Sequence, residues 1–155
     1  MTAKRVENYL GKEGILSTQL DGFEYRHQQM DMAGAVEEAF GDARHLIVEA
    51  GTGTGKSLAY LIPAILWAVE NNKKVVISTY TKTLQQQILN HDIPFLRDKL
   101  GINFRYALCM GSENYLSLRR MKRSAQAGLF TQATEESQWE GIFNWAGETE
   151  TGYRS

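Results

Sequence analysis

A chain of 155 residues with 43% hydrophobic and 10% aromatic content can bury one sizeable core and is not composed like a disordered segment. Its 17 Lys plus Arg against 18 Asp plus Glu leave a formal net charge of -1, so no global basic field exists and any nucleic-acid surface must be local. The single cysteine, Cys109, excludes an internal disulfide and a thiolate metal cage within these residues.

Residues 1–24 form a mixed, glycine-punctuated lead-in with a short apolar patch at Gly14, Ile15 and Leu16. Its start, "MTAKRVENYLGKEG", has no apolar signal core, and no run approaches about 18 apolar residues, so a cytoplasmic chain without a membrane partner is expected. From Arg26 to Phe40, Met30, Ala33, Val36, Glu37 and Phe40 recur with a helical period, which Gly41 ends. "HLIVEA", "KKVVISTY" and "FRYALC" are β-prone runs, separated by stretches long enough for a crossover helix each. Gly55–Glu70 and Lys82–Leu100 fill those stretches with helical patterns, the first expected to kink at Pro63 and the second to bend or end at Pro94. Two further helical stretches, "GSENYLSLRRMKRSAQ" and "TEESQWEGIFNWAGE", follow before "TGYRS", with no closing strand. The order predicts an α/β fold, a parallel sheet with crossover helices, left incomplete and followed by a helical C-terminal segment.

The first β-prone run leads into Ala50, Gly51, Thr52, Gly53, Thr54, Gly55, Lys56 and Ser57, which match G-x-x-x-x-G-K-[ST] except for Ala at the first position. Glycines at 51, 53 and 55 let the backbone curl so that successive N–H groups face one point, and the following helix adds its positive end. Polyphosphate is the expected guest, with Lys56 on the β and γ phosphates and Ser57 offering its hydroxyl to a bridging Mg2+. The bland alternative is a glycine-rich turn with a solvated lysine. Hydrolysis needs carboxylates at the end of a further strand. Glu113, Glu135, Glu136, Glu140, Glu148 and Glu150 all fall in helical or loop-like sequence, so the catalytic set is incomplete.

"EYRHQQMDMAGAV", "LIVEAGTGTGKSLAYLIPAILWA", "VVISTYTKTLQQQIL" and "GSENYLSLRR" together resemble the opening of a DinG/XPD-type superfamily 2 DNA helicase, over about Gly14 to Arg120. The resemblance implies a RecA-like P-loop fold, with residues 25–110 the first part of motor domain 1 and 111–155 the start of a helical inserted domain. It implies binding of ATP and Mg2+, coupled to translocation on single-stranded DNA and to DNA repair. Tyr25, Arg26 and Gln28 then fall on the stretch that reads adenine, Gln28 with an amide able to donate and accept along a purine edge. Ala50 also ceases to be anomalous. Thr79, Thr81, Lys82, Thr83 and Gln85 match a track for the single-stranded DNA backbone; the alternative is a helix start capped by Thr81 with Gln85 exposed.

In the iron–sulfur members "NYLC" supplies the first cluster ligand, whereas here "NYLS" places Ser117 at that position, so no cluster is expected. The family's DEAH-type box and second motor domain are absent. The chain is therefore expected to need the remainder of the helicase as partner and to lack ATPase activity by itself. A non-catalytic nucleotide-binding or scaffold fragment, or another P-loop protein such as an RNA helicase, remains the alternative. Arg119 to Arg123, "RRMKR", suits a phosphate backbone or a solvated face equally. His27, His45 and His91 lack metal-ligand spacing, and Trp67, Trp139 and Trp145 read as core anchors.

Overall fold

The computed structural model describes residues 5–20, 22–126 and 133–153, with the backbone alone for 133 and 134. The first four residues of the expected lead-in, Asp21, the 127–132 connection and the last two residues of "TGYRS" lie outside the described residues. The chain divides into two compact units at Tyr106 and Ala107.

The first unit is built on two helices, α3 (His27–Gly41) and α4 (Lys56–Asn71), which pack against each other; α1 (Glu7–Leu10) and α2 (Ile15–Gln19) precede them. Ala33 and Gly34 are buried on α3, and residues this small let the α4 backbone approach closely. On α4 the buried set is Ala59 and Leu61 to Ile65, through which Pro63 passes without ending the helix. Phe40 and Trp67 close the far end with stacked rings 5.1 Å apart. The α4 C-terminus stops in a left-handed turn at Asn72 (φ 50°), where Lys73 N donates to Ala68 O at 3.0 Å.

The second helical stretch is continuous but not uniform: α5 (Lys82–Gln87) runs through a π turn at Ile88–Asp92 into α6 (Ile93–Leu100). Pro94 explains the turn, because a proline has no N–H to give and its ring crowds the carbonyl four residues back, that of Asn90. A wider π turn absorbs the misfit where a bend or an end was expected. Ile88, Ile93, Leu96 and Leu100 are then all buried in the core.

The lead-in belongs to that core. Val6, Leu10 and Leu16 are fully buried, and α2 leans on α6. Between the two short helices the chain turns so tightly that a Cβ on Gly11 would lie 2.4 Å from Glu7 O, and one on Gly14 2.7 Å from Tyr9 O. Arg5 binds both Glu37 of α3, at 3.5 Å, and Glu70 of α4, at 2.5 Å.

The expected parallel sheet is not seen among the described residues. "HLIVEA", "KKVVISTY" and "FRYALC" carry no strand ladder there. Ile47 is 98% exposed and Val76 88%. A strand satisfies its N–H and C=O groups only through a lateral neighbour, and no such neighbour lies beside these runs among the described residues. The crossover helices form without it because their apolar faces meet each other.

In the second unit, a 3-10 turn at Ser112–Asn114 precedes α7 (Leu118–Gln126) and α8 (Ala133–Glu148). Helix was expected from residue 111, but Tyr115 is extended and forms an antiparallel bridge to Tyr153, their rings 5.8 Å apart. No helix among the described residues is long and apolar enough to cross a membrane.

Candidate phosphate-binding site

The loop from Ala50 to Ser57 joins the first β-prone run to the start of α4. Gly53 and Gly55 have φ of 78° and 76°, a region that L side chains rarely adopt, so the curl requires glycine at both. Gly55 is the N-cap of the 16-residue α4, whose first turn has N–H groups without intrahelical acceptors. A Cβ on Gly51 or Gly53 would meet nothing within 4 Å, so the loop has open space beside both. Lys56 folds back on the loop, its Nζ donating to Gly51 O at 2.6 Å and Ala50 O at 3.2 Å. Thr54 Oγ1 donates to the same Gly51 O at 3.0 Å, while Thr52 is exposed.

Ser57 is half-buried on the first turn of α4, three residues before Tyr60. Burial pushes the Tyr60 phenol above its ordinary value; the Ser57 side chain opposes the shift and the Asp92 carboxylate adds to it.

From α3 two side chains reach the loop, and only one of them stands out in the sequence. Arg26, the N-cap of α3, donates from Nη1 to Gly53 O at 2.5 Å and from Nη2 to Glu24 Oε2 at 3.1 Å. Gln29 is 5% exposed, and its Nε2 donates to Gly55 O at 3.0 Å. Gln28, expected on the adenine, is exposed and does not reach the loop: one residue along a helix turns the side chain by about 100°, away from the face that Arg26 and Gln29 share. A signal for Gln29 was present, since it falls in phase with Ala33, Val36 and Phe40 on the apolar stripe of α3. Tyr25 is half-buried, with Lys12 Nζ 5.4 Å from its ring centroid.

The other sequence-derived residues are scattered. Thr81 caps α5, accepting from Leu84 N at 3.2 Å, and Thr83 is exposed. Lys82 is exposed and engaged in an interaction. Gln85 is half-buried rather than exposed, with Oε1 buried and unpartnered. Ser117 acts locally, its Oγ accepting from Arg120 N at 3.4 Å at the start of α7. Arg119, Arg120, Lys122 and Arg123 are exposed around buried Met121. His27 pairs with Asp31 at 2.6 Å, and no group of three or more His, Cys, Asp or Glu able to hold a metal occurs among the described residues.

Comparison with known proteins places this loop in a family. The DEAD/DEAH box helicase model matches residues 27–141. The chain is 36% identical over 148 residues to the ATP-dependent DNA helicase YoaA of Haemophilus influenzae, covering 96% of the chain and 22% of that protein. It is 46% identical over 106 residues to the ATP-dependent helicase DinG of Mycobacterium tuberculosis, covering 66% of the chain and 16% of the relative. Against YoaA of Escherichia coli the identity is 43% over 116 residues, 75% of the chain and 18% of the relative. The chain thus spans about a fifth of the length of the curated relatives it matches. On this match, which takes in the whole phosphate loop and the Gln29 that braces it, the chain belongs to the DEAD/DEAH box helicase family and has the P-loop NTPase fold of that family.

Proposed function

We propose that the chain is the nucleotide-binding portion of an ATP-dependent DNA helicase of the DinG/XPD type, which couples ATP hydrolysis to movement along single-stranded DNA. The observation that carries the reading is the loop at the N-terminus of α4, with Lys56 and Ser57 on its first turn and open space beside Gly51 and Gly53. These residues fit a magnesium-bound triphosphate. The Lys56 ammonium rests on neutral carbonyls, from which an anionic phosphate oxygen would draw it by a stronger, charge-assisted bond. Ser57, beside Lys56 on the first turn of α4, is assigned to the Mg2+. When bound, ATP supplies the phosphoryl group whose loss to water drives motion, and Mg2+ neutralises its charge. Tyr25 and Gln28, on either side of Arg26 in sequence, are the residues we assign to the purine.

The relatives are named as DNA helicases, which supports DNA as the polymer, and we take its single strand as the track. Thr81, Lys82, Thr83 and Gln85 are assigned to its phosphates, and the rest of the helicase is the partner that supplies the catalytic carboxylates. In the longer protein the three β-prone runs are assigned to a parallel sheet that would cover Ile47 and Val76. Residues 25–110 are taken as part of motor domain 1, and 111–155 as the start of an inserted domain in which Ser117 replaces a cluster ligand. A cytoplasmic location accords with DNA as the substrate.

Calorimetric titration of the 155-residue chain with MgATP tests the reading. Binding is expected, with Lys56→Ala weakening it at least about tenfold through loss of a charge-assisted hydrogen bond. Turnover is expected only when the segment is part of the longer helicase, and there it rises with single-stranded DNA. Failure of the chain to bind MgATP overturns the assignment.

A further inference from the structure

We infer that Arg26, held by Glu24, is a positioning residue that presets the phosphate loop, and that it acts on the triphosphate rather than on the base. The inference rests on the reading of the loop as a nucleotide site and goes beyond it by assigning Arg26 a partner other than adenine. Two donors three residues apart on α3 reach two loop carbonyls two residues apart, Arg26 to Gly53 O and Gln29 to Gly55 O. Both carbonyls belong to the glycines with positive φ.

In a trans peptide the C=O of one residue and the N–H of the next point in opposite directions. Anchoring Gly53 O towards α3 therefore turns the Thr54 N–H away from α3, and anchoring Gly55 O does the same for the Lys56 N–H. Gly55 O also accepts from Ala59 N at 3.2 Å, so that peptide is fixed by the helix as well. The Gly53 carbonyl has no such second restraint among the described hydrogen bonds, and Arg26 is what holds it.

Arg26 is itself restrained. Its Nε and Nη2 both face Glu24 Oε2, at 3.4 and 3.1 Å, which fixes the plane of the guanidinium and leaves Nη1 aimed at Gly53 O. A guanidinium suits this position, because its rigid fork serves a carboxylate on one side and a carbonyl on the other. Glu24 and Arg26 are 74% and 43% exposed as side chains, so changing either leaves the buried core untouched.

The test uses the 155-residue chain and three probes with magnesium: ATP, GTP and inorganic tripolyphosphate. Arg26→Ala is expected to weaken all three by a common factor of about tenfold, the loss of one hydrogen bond from a charged group. Glu24→Ala separates positioning from simple attraction. Removing a negative charge near the loop should tighten polyphosphate binding if Arg26 acts only through its field, and should weaken it if Glu24 holds Arg26 in place. Weakening by both variants, shared by the three probes, supports the inference. Loss of ATP binding by Arg26→Ala with tripolyphosphate unchanged would place the guanidinium on the base and overturn it, as would tighter binding by Glu24→Ala. If the unaltered chain binds none of the three probes, the nucleotide-site reading fails first and the inference falls with it.

Discussion

At Gly55 two constraints coincide. Its φ of 76° disfavours any L side chain, and a Cβ there would lie 2.0 Å from the Gln29 amide nitrogen. Gly55→Ala is therefore expected to displace Gln29 from its buried position, to lower the melting temperature by an amount corresponding to about 1–3 kcal/mol, and to reduce MgATP binding more than Gly51→Ala does. Calorimetry on the two variants checks both effects. Tyr60 makes a separate prediction from its raised phenol, driven first by burial. The folded state disfavours the phenolate, so the unfolded chain loses this proton first as pH rises past the ordinary value of 10.0. Stability from this group is complete below that pH and is lost above it. Tyr60→Phe should flatten the alkaline limb of a melting-temperature profile while leaving the neutral range to packing effects alone. The phosphate loop was legible in the sequence because its glycines and lysine are fixed by chain-local geometry. Gln29 was missed for a different reason: an amide on an apolar stripe reads as an interruption until its acceptor, 26 residues away, is known.

Among the elements, the helices follow from their own patterns and the strands do not. α4 carries Leu61, Ile62 and Ala64 on a face that α3 can cover, so its position is decided by residues within reach of one helical hairpin. A parallel strand depends on neighbours that no local pattern specifies, and the β-prone runs here meet none among the described residues. Two substitutions at apolar residues should therefore behave in opposite ways. Leu61→Ala removes a fully buried side chain and is expected to cost about 2–5 kcal/mol in a denaturant melt. Ile47→Lys, at a site 98% exposed, is expected to change stability of this chain by less than about 0.5 kcal/mol. A large loss at Ile47 would mean that the run is covered in solution, by sheet pairing or by a second chain. The π turn is a further feature hidden from the pattern: Pro94 signalled an interruption, but only the packing of Ile93, Leu96 and Leu100 shows that the helix resumes with its apolar face inward.

Over the whole molecule, the first unit holds its lead-in by packing more than by charge. Arg5 joins Glu37 and Glu70, yet its side chain is 40% exposed, and such pairs contribute at most about 1 kcal/mol. Leu10 is buried to 1% exposure. Arg5→Ala is accordingly expected to lower the melting temperature slightly and Leu10→Ala substantially, by about 2–5 kcal/mol in chemical denaturation, with the Leu10 effect insensitive to added salt. The lead-in was expected only to offer a short apolar patch at Gly14, Ile15 and Leu16, because its apolar residues are few and lie between glycines. Its place follows from α3, on which α1 rests, and from α6 at the other end of the unit, on which α2 leans. That arrangement has a consequence for synthesis. α2 is translated long before α6, whose surface it needs, so it settles only after most of the unit has been made. Until α6 has emerged, Leu16 of α2 remains an exposed apolar residue, and seating it closes a loop that runs nearly the length of the unit.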